Sequence, residues 1–90
     1  MTAPRLSRLQ KRMLCWLSAD ERRTRGVITS SHQELVQAMP SAKGNSSHSL
    51  RLLETQGLIR IGRSPGGLAE YVTLTMAGRQ KVSQLERGYD

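Results

Sequence analysis

The chain has no phenylalanine, one tryptophan, two tyrosines and a single cysteine in ninety residues. With so few aromatics, a core has to be built from Leu, Ile, Val and Met. One thiol, Cys15, excludes a disulfide within the chain. It lies in an apolar helical pattern, where a small buried hydrophobe is the expected role. That thiol and two separated histidines, His32 and His48, make no Cys/His zinc pattern. No apolar run approaches the ~20 residues of a membrane span. The first residues hold no signal-peptide apolar stretch, so a cytoplasmic protein with no membrane partner is expected. Acids are also scarce, with 7 Asp and Glu against 14 Lys and Arg and a formal net charge of +7. That balance suits a polyanion, most simply nucleic acid. A plain basic surface has the same composition, so placement of the charge has to decide.

Catalytic patterns are missing too. There is no G-x-S-x-G elbow, and Gly62-Arg-Ser-Pro-Gly-Gly67 lacks the Lys-Ser/Thr of a phosphate loop. The acids are scattered and form no evident pair. An enzyme is therefore not expected, nor a metal or other cofactor. Ninety residues predict one domain, 1–90, with a core small enough for a partner subunit to add useful buried surface.

What is present reads as a sequence of short elements. From residue 5 to about 23, Leu6, Leu9, Met13, Leu14, Trp16 and Leu17 recur at helical spacing. Arg5, Arg8, Lys11 and Arg12 lie mostly off that stripe, and a solvated face is their simplest role. Pro4 suits the entry to this helix. The β-branched run Val27-Ile28-Thr29 predicts a short strand that pairs with a later one. Ser31-His-Gln-Glu34 has the S-x-x-E form of a capping box. Leu35, Val36 and Met39 give the next helix an apolar face, and Pro40 ends it. The pattern is helical again over about 42–56, with Leu50 and Leu53 inward and Leu52 widening the apolar face. Gly44 weakens the front of this helix by roughly 1 kcal/mol relative to Ala. Gly57 stands where a left-handed residue closes a helix. Alternation over Leu58–Ile61 and Ala69–Leu74, around an all-turn tip, predicts a hairpin over about 58–74. Thr75 then caps a last helix.

These residues resemble the winged helix-turn-helix of MarR-type bacterial regulators. The resemblance rests on "ELVQAM", a turn, "SSHSLRLLETQGLIRI", a hairpin and "LTMAGR". Leu50, Leu53, Gly57, Leu58 and Ile59 match the L-x-x-L-x-x-x-G-L-I signature, and "LTMAG" the LT-x-x-G junction. Ser46 stands where an aliphatic residue is usual. The resemblance implies an α+β, mainly α fold: a three-helix core, a β-hairpin wing and a C-terminal helix. It also implies sequence-specific double-stranded DNA binding by a small transcriptional regulator, acting as a homodimer. A winged-helix protein-interaction module and a DNA-binding component of a plasmid or mobile-element replication or transfer system remain open.

On that reading the helix over about 42–56 enters the major groove. Lys43, Asn45, Ser47 and His48 then face the bases, with Arg51 at a base or a flanking phosphate. Asn suits adenine, and Lys or Arg suits guanine. Arg60 at the start of the wing meets phosphate, and Arg63 reaches toward a minor groove. Ser31 either caps its helix or contacts phosphate at that helix's N-terminus.

Overall fold

The computed structural model describes residues 6–39 and 46–88. Four helices and three short strands follow in order: α1 (Arg8–Thr24), β1 (Ser30–Ser31), α2 (His32–Ala38), α3 (Ser46–Thr55), β2 (Ile59–Arg63), β3 (Ala69–Leu74) and α4 (Met76–Glu86). The strands form one antiparallel sheet in the order β1-β3-β2. Lys43, Gly44, Asn45 and Pro40, like Pro4 and Arg5, lie outside the described residues.

Each helix boundary has a local cause. Ser7 caps α1: its hydroxyl accepts the Gln10 N–H at 3.1 Å, while Gln10 Oε1 accepts the Ser7 N–H at 2.7 Å. This S-x-x-Q box starts α1 at Arg8, three residues later than apolar spacing alone suggests. Ser31 caps α2 by accepting the Glu34 N–H at 3.3 Å, the half of the expected box that the structure forms. Met39, next to Pro40, is extended at φ −84°, ψ 127°. A proline disfavours helical geometry in the residue before it, which ends α2. Gly57, at φ +76°, closes α3. The Leu58 N–H donates to Leu53 O at 3.0 Å and the Gly57 N–H to Glu54 O at 2.9 Å. This double bond pattern satisfies the last carbonyls and turns the chain into β2.

The core sits between the helices and the inner face of the sheet. Met13, Leu14 and Leu17 of α1 meet Leu35 of α2, and Leu50 and Leu53 of α3. Ile59, Ile61, Val72 and Leu74 close it from the sheet. Each such aliphatic side chain contributes about 1.5–3 kcal/mol by leaving water, before the entropy of ordering it. Trp16 packs half-buried at the core's edge.

Three expectations are corrected. Cys15 is exposed, because it lies on the side of α1 away from Met13 and Leu17. Leu52 is 41% exposed, since Leu50 and Leu53 take the inward positions of α3. Val27 and Ile28 are exposed and unpaired in the sheet; pairing begins at Ser30↔Val72 and Ser31↔Tyr71. The anchor there is polar: the buried Ser30 hydroxyl donates to Asp20 Oδ2 at 2.6 Å. That bond ties the strand to α1 at the residue where its pairing begins.

α4 is docked through the LT-x-x-G junction. The Thr75 N–H donates to Leu58 O at 3.1 Å, and its hydroxyl donates to Gly57 O. Thr75 Oγ1 in turn accepts the Gly78 N–H at 3.1 Å. Two ion pairs to α1, Glu21–Arg79 at 2.8 Å and Arg22–Glu86 at 3.2 Å, hold the rest of the helix.

Candidate nucleic-acid interface

Helix α3 buries Ser46, Ser49, Leu50 and Leu53 and exposes Ser47, His48, Arg51, Leu52 and Thr55. At about 100° per residue, Ser47, Arg51 and Glu54 form one outward stripe. His48 is turned about 100° from Ser47. With Leu52 it lines a shallow depression against Leu6, Leu9 and Gln10 at the front of α1. The expected base-facing set is thus divided: Ser47 and Arg51 share one line, and His48 stands beside it. Lys43 and Asn45 fall outside the described residues.

The wing is a tightly closed hairpin. The Ser64 N–H donates to Leu68 O and the Gly67 N–H to Ser64 O, both at 2.8 Å, with Gly67 at φ +85°. Leu68 at the tip is exposed, and the tip itself carries no cation. Arg60 is exposed on β2 opposite Thr73. A register shift at Gly62/Arg63 interrupts the β2–β3 ladder. The ring of Tyr71 lies across Gly62, where a Cβ would come within 2.0 Å of it. The residue left without a partner there is Glu70 of β3, between Tyr71 and Ala69.

Arg63 is engaged within the chain. Its guanidinium does not reach outward from the tip. It forms a two-pronged pair with Glu54 of α3, each nitrogen 3.0 Å from its own carboxylate oxygen. The hydrogen bonds from Arg63 hold the Glu54 carboxyl below its ordinary value; the Ile61 N–H and Arg51 add to this. His32, at the start of α2, is held below its ordinary 6.5, first by burial and then by the positive field of Arg63. Arg51, Glu54 and Arg63 therefore form one charged surface spanning α3 and the wing base, with His32 at the front of α2 beside it. Ser31, half-buried beside it, uses its hydroxyl oxygen in capping.

Sequence reading missed Glu54. Its position on the α3 stripe follows from helical spacing, but its partner does not, because Arg63 meets it only where the hairpin packs beside α3. Arg51 and Arg60 form no ion pair among the described residues, whereas Arg22, Arg23, Arg63 and Arg79 each do.

Successive helices α2 and α3, a hairpin and a helix docked behind the hairpin define a winged helix-turn-helix. The solved structures it matches make the kind more specific. A mutant of S. aureus MepR superposes with a TM-score of 0.71 at 21% identity, over 90% of this chain and 56% of that one. An S. aureus MepR–DNA complex matches with a TM-score of 0.67 at 20% identity, over 89% and 56%. A putative MarR-like transcription regulator from Bacillus cereus matches with 0.68 at 17% identity, over 90% and 54%. The fold is the MarR-like winged helix. The chain spans little more than half the length of these structures. No family model and no curated protein matches the sequence. Among the described residues no helix is long and apolar enough to cross a membrane.

Proposed function

We propose that the protein is a sequence-specific double-stranded DNA-binding transcriptional regulator that acts as a homodimer. The observation that carries this reading is the outward stripe of α3. Ser47 and Arg51 stand exposed on a firmly packed helix, beside the exposed Arg60 of the wing. Helix α3 occupies the major groove, Arg51 meets a guanine edge or a flanking phosphate, and Lys43, Asn45 and Ser47 address bases. His48 contacts the groove wall on the α1 side. Arg60 neutralises phosphate, Arg63 stands beside it at the wing base in its pair with Glu54, and Ser31 places the front of α2 near the backbone. The fold's match to a regulator solved in complex with DNA supports the same use. Function then comes from occupying a site, not from chemistry.

The test is fluorescence polarisation with random and selected duplexes across a salt series. Selected duplexes are expected to bind more tightly than random ones, and both to weaken steeply with salt. Arg51→Ala is expected to cost specific binding about 1–3 kcal/mol, while Lys43→Ala and Asn45→Ala relax base choice. No binding at low salt would overturn the proposal.

A further inference from the structure

Glu54 is a carboxylate in the middle of the surface that the DNA reading assigns to a polyanion. It does not serve the core: it lies on the outward stripe of α3 with Arg51, and its side chain is 32% exposed. An exposed ion pair of this kind adds at most about 1 kcal/mol to folding, so stability is a weak reason for its position. Its geometry is specific, however. Both oxygens are occupied by the Arg63 fork, the planar arrangement that a phosphate would otherwise take. We propose that Glu54 is a specificity-determining residue that acts as an internal phosphate mimic, holding Arg63 back from indiscriminate backbone contact. The inference rests on the DNA-binding reading above.

The consequences follow from competition. A random duplex brings a phosphate to Arg63 only by displacing a carboxylate already in bidentate contact, and it leaves that carboxylate facing other phosphates. Non-specific affinity is mostly phosphate neutralisation. Tying up Arg63 therefore removes one cation from the non-specific mode. A matched site engages α3 through its bases and keeps the wing at the angle that the Glu54–Arg63 pair sets, so it loses less. Glu54 thus widens the gap between matched and random DNA without touching a base.

The experiment compares the full chain with Glu54→Gln, Arg63→Ala and the double variant. Each is measured on a random duplex and a selected duplex over a salt series, with thermal unfolding in parallel. Glu54→Gln is expected to bind random duplex about 3- to 10-fold more tightly at low salt. Its log–log salt slope is expected to steepen by about 0.9, the value for one added phosphate contact. In the Arg63→Ala background the same substitution is expected to give less than half that gain. Random-duplex affinity and slope unchanged in Glu54→Gln would overturn the proposal. So would an equal gain in both backgrounds, which marks simple charge removal. Binding of no duplex by the unsubstituted chain would instead overturn the DNA reading, and this inference with it.

Discussion

Asp20 joins α1 to β1 through one carboxylate. It is buried, accepts the Ser30 hydroxyl at 2.6 Å on one oxygen, and accepts Arg23 at 2.6 Å on the other. The Ser30 hydrogen bond is the main cause holding its carboxyl below the ordinary 3.8; burial opposes this and Arg23 assists. A folded-state value below the unfolded one stabilises the fold at pH values above 3.8. That contribution is lost as pH falls below 3.8 through the folded value. Ser30→Ala leaves a buried carboxylate short of a donor, which costs about 1–3 kcal/mol near neutral pH. Urea denaturation is expected to show that loss at about pH 7 and a smaller one near pH 3, where Asp20 is closer to protonation in both proteins. An equal loss at both values would disprove this account of the Ser30 effect. Neither Ser30 nor Asp20 stands out in the sequence, because a hydrogen bond across ten residues leaves no periodic trace.

At the scale of elements, the junction between the wing and α4 is closely built. A Cβ added at Gly78 would come within 2.0 Å of the Leu58 carbonyl oxygen, a backbone atom that cannot swing aside. Gly78→Ala therefore has to slide α4 or shift the start of β2, at a cost of about 1–3 kcal/mol. It is expected to lower the thermal midpoint and speed amide exchange in α4 more than in α1. Uniform exchange throughout would remove the junction from this role. The LT-x-x-G resemblance marked this glycine without its reason; the reason is the carbonyl opposite. The two longest apolar patterns, α1 and α3, and the Gly57 stop were readable because spacing and capping act locally. Cys15 was misplaced because it sits among apolar neighbours in sequence while the helix turns it outward. The Arg63–Glu54 pair was not readable, because it joins the hairpin to α3 across nine residues and leaves no periodic trace.

On the proposed DNA-binding reading, the size of the molecule sets how much duplex one chain can hold. Its longest extent is 36 Å, close to one turn of duplex, and it carries one exposed α3 stripe. Reading two successive major grooves about 34 Å apart therefore takes two copies. A two-fold pair reads an inverted repeat. Charge accounting makes this measurable. With Arg63 held by Glu54, the cations assigned to the interface in each chain are Lys43, Arg51 and Arg60. Three phosphate-equivalent contacts give a log–log salt slope of about −2.7 for one copy, and about −5.4 for two. On an inverted repeat, sedimentation equilibrium is expected to find two 10.0 kDa chains per duplex, with the steeper slope. On an isolated half-site, one chain and the shallower slope are expected. One chain on both duplexes with a single common slope would remove the homodimer from the proposed mechanism. A slope on the half-site well beyond about −2.7 would instead bring the exposed Arg8 and Arg12 of α1 into contact with the backbone. Their Ala variants would then reduce it by about 0.9 each.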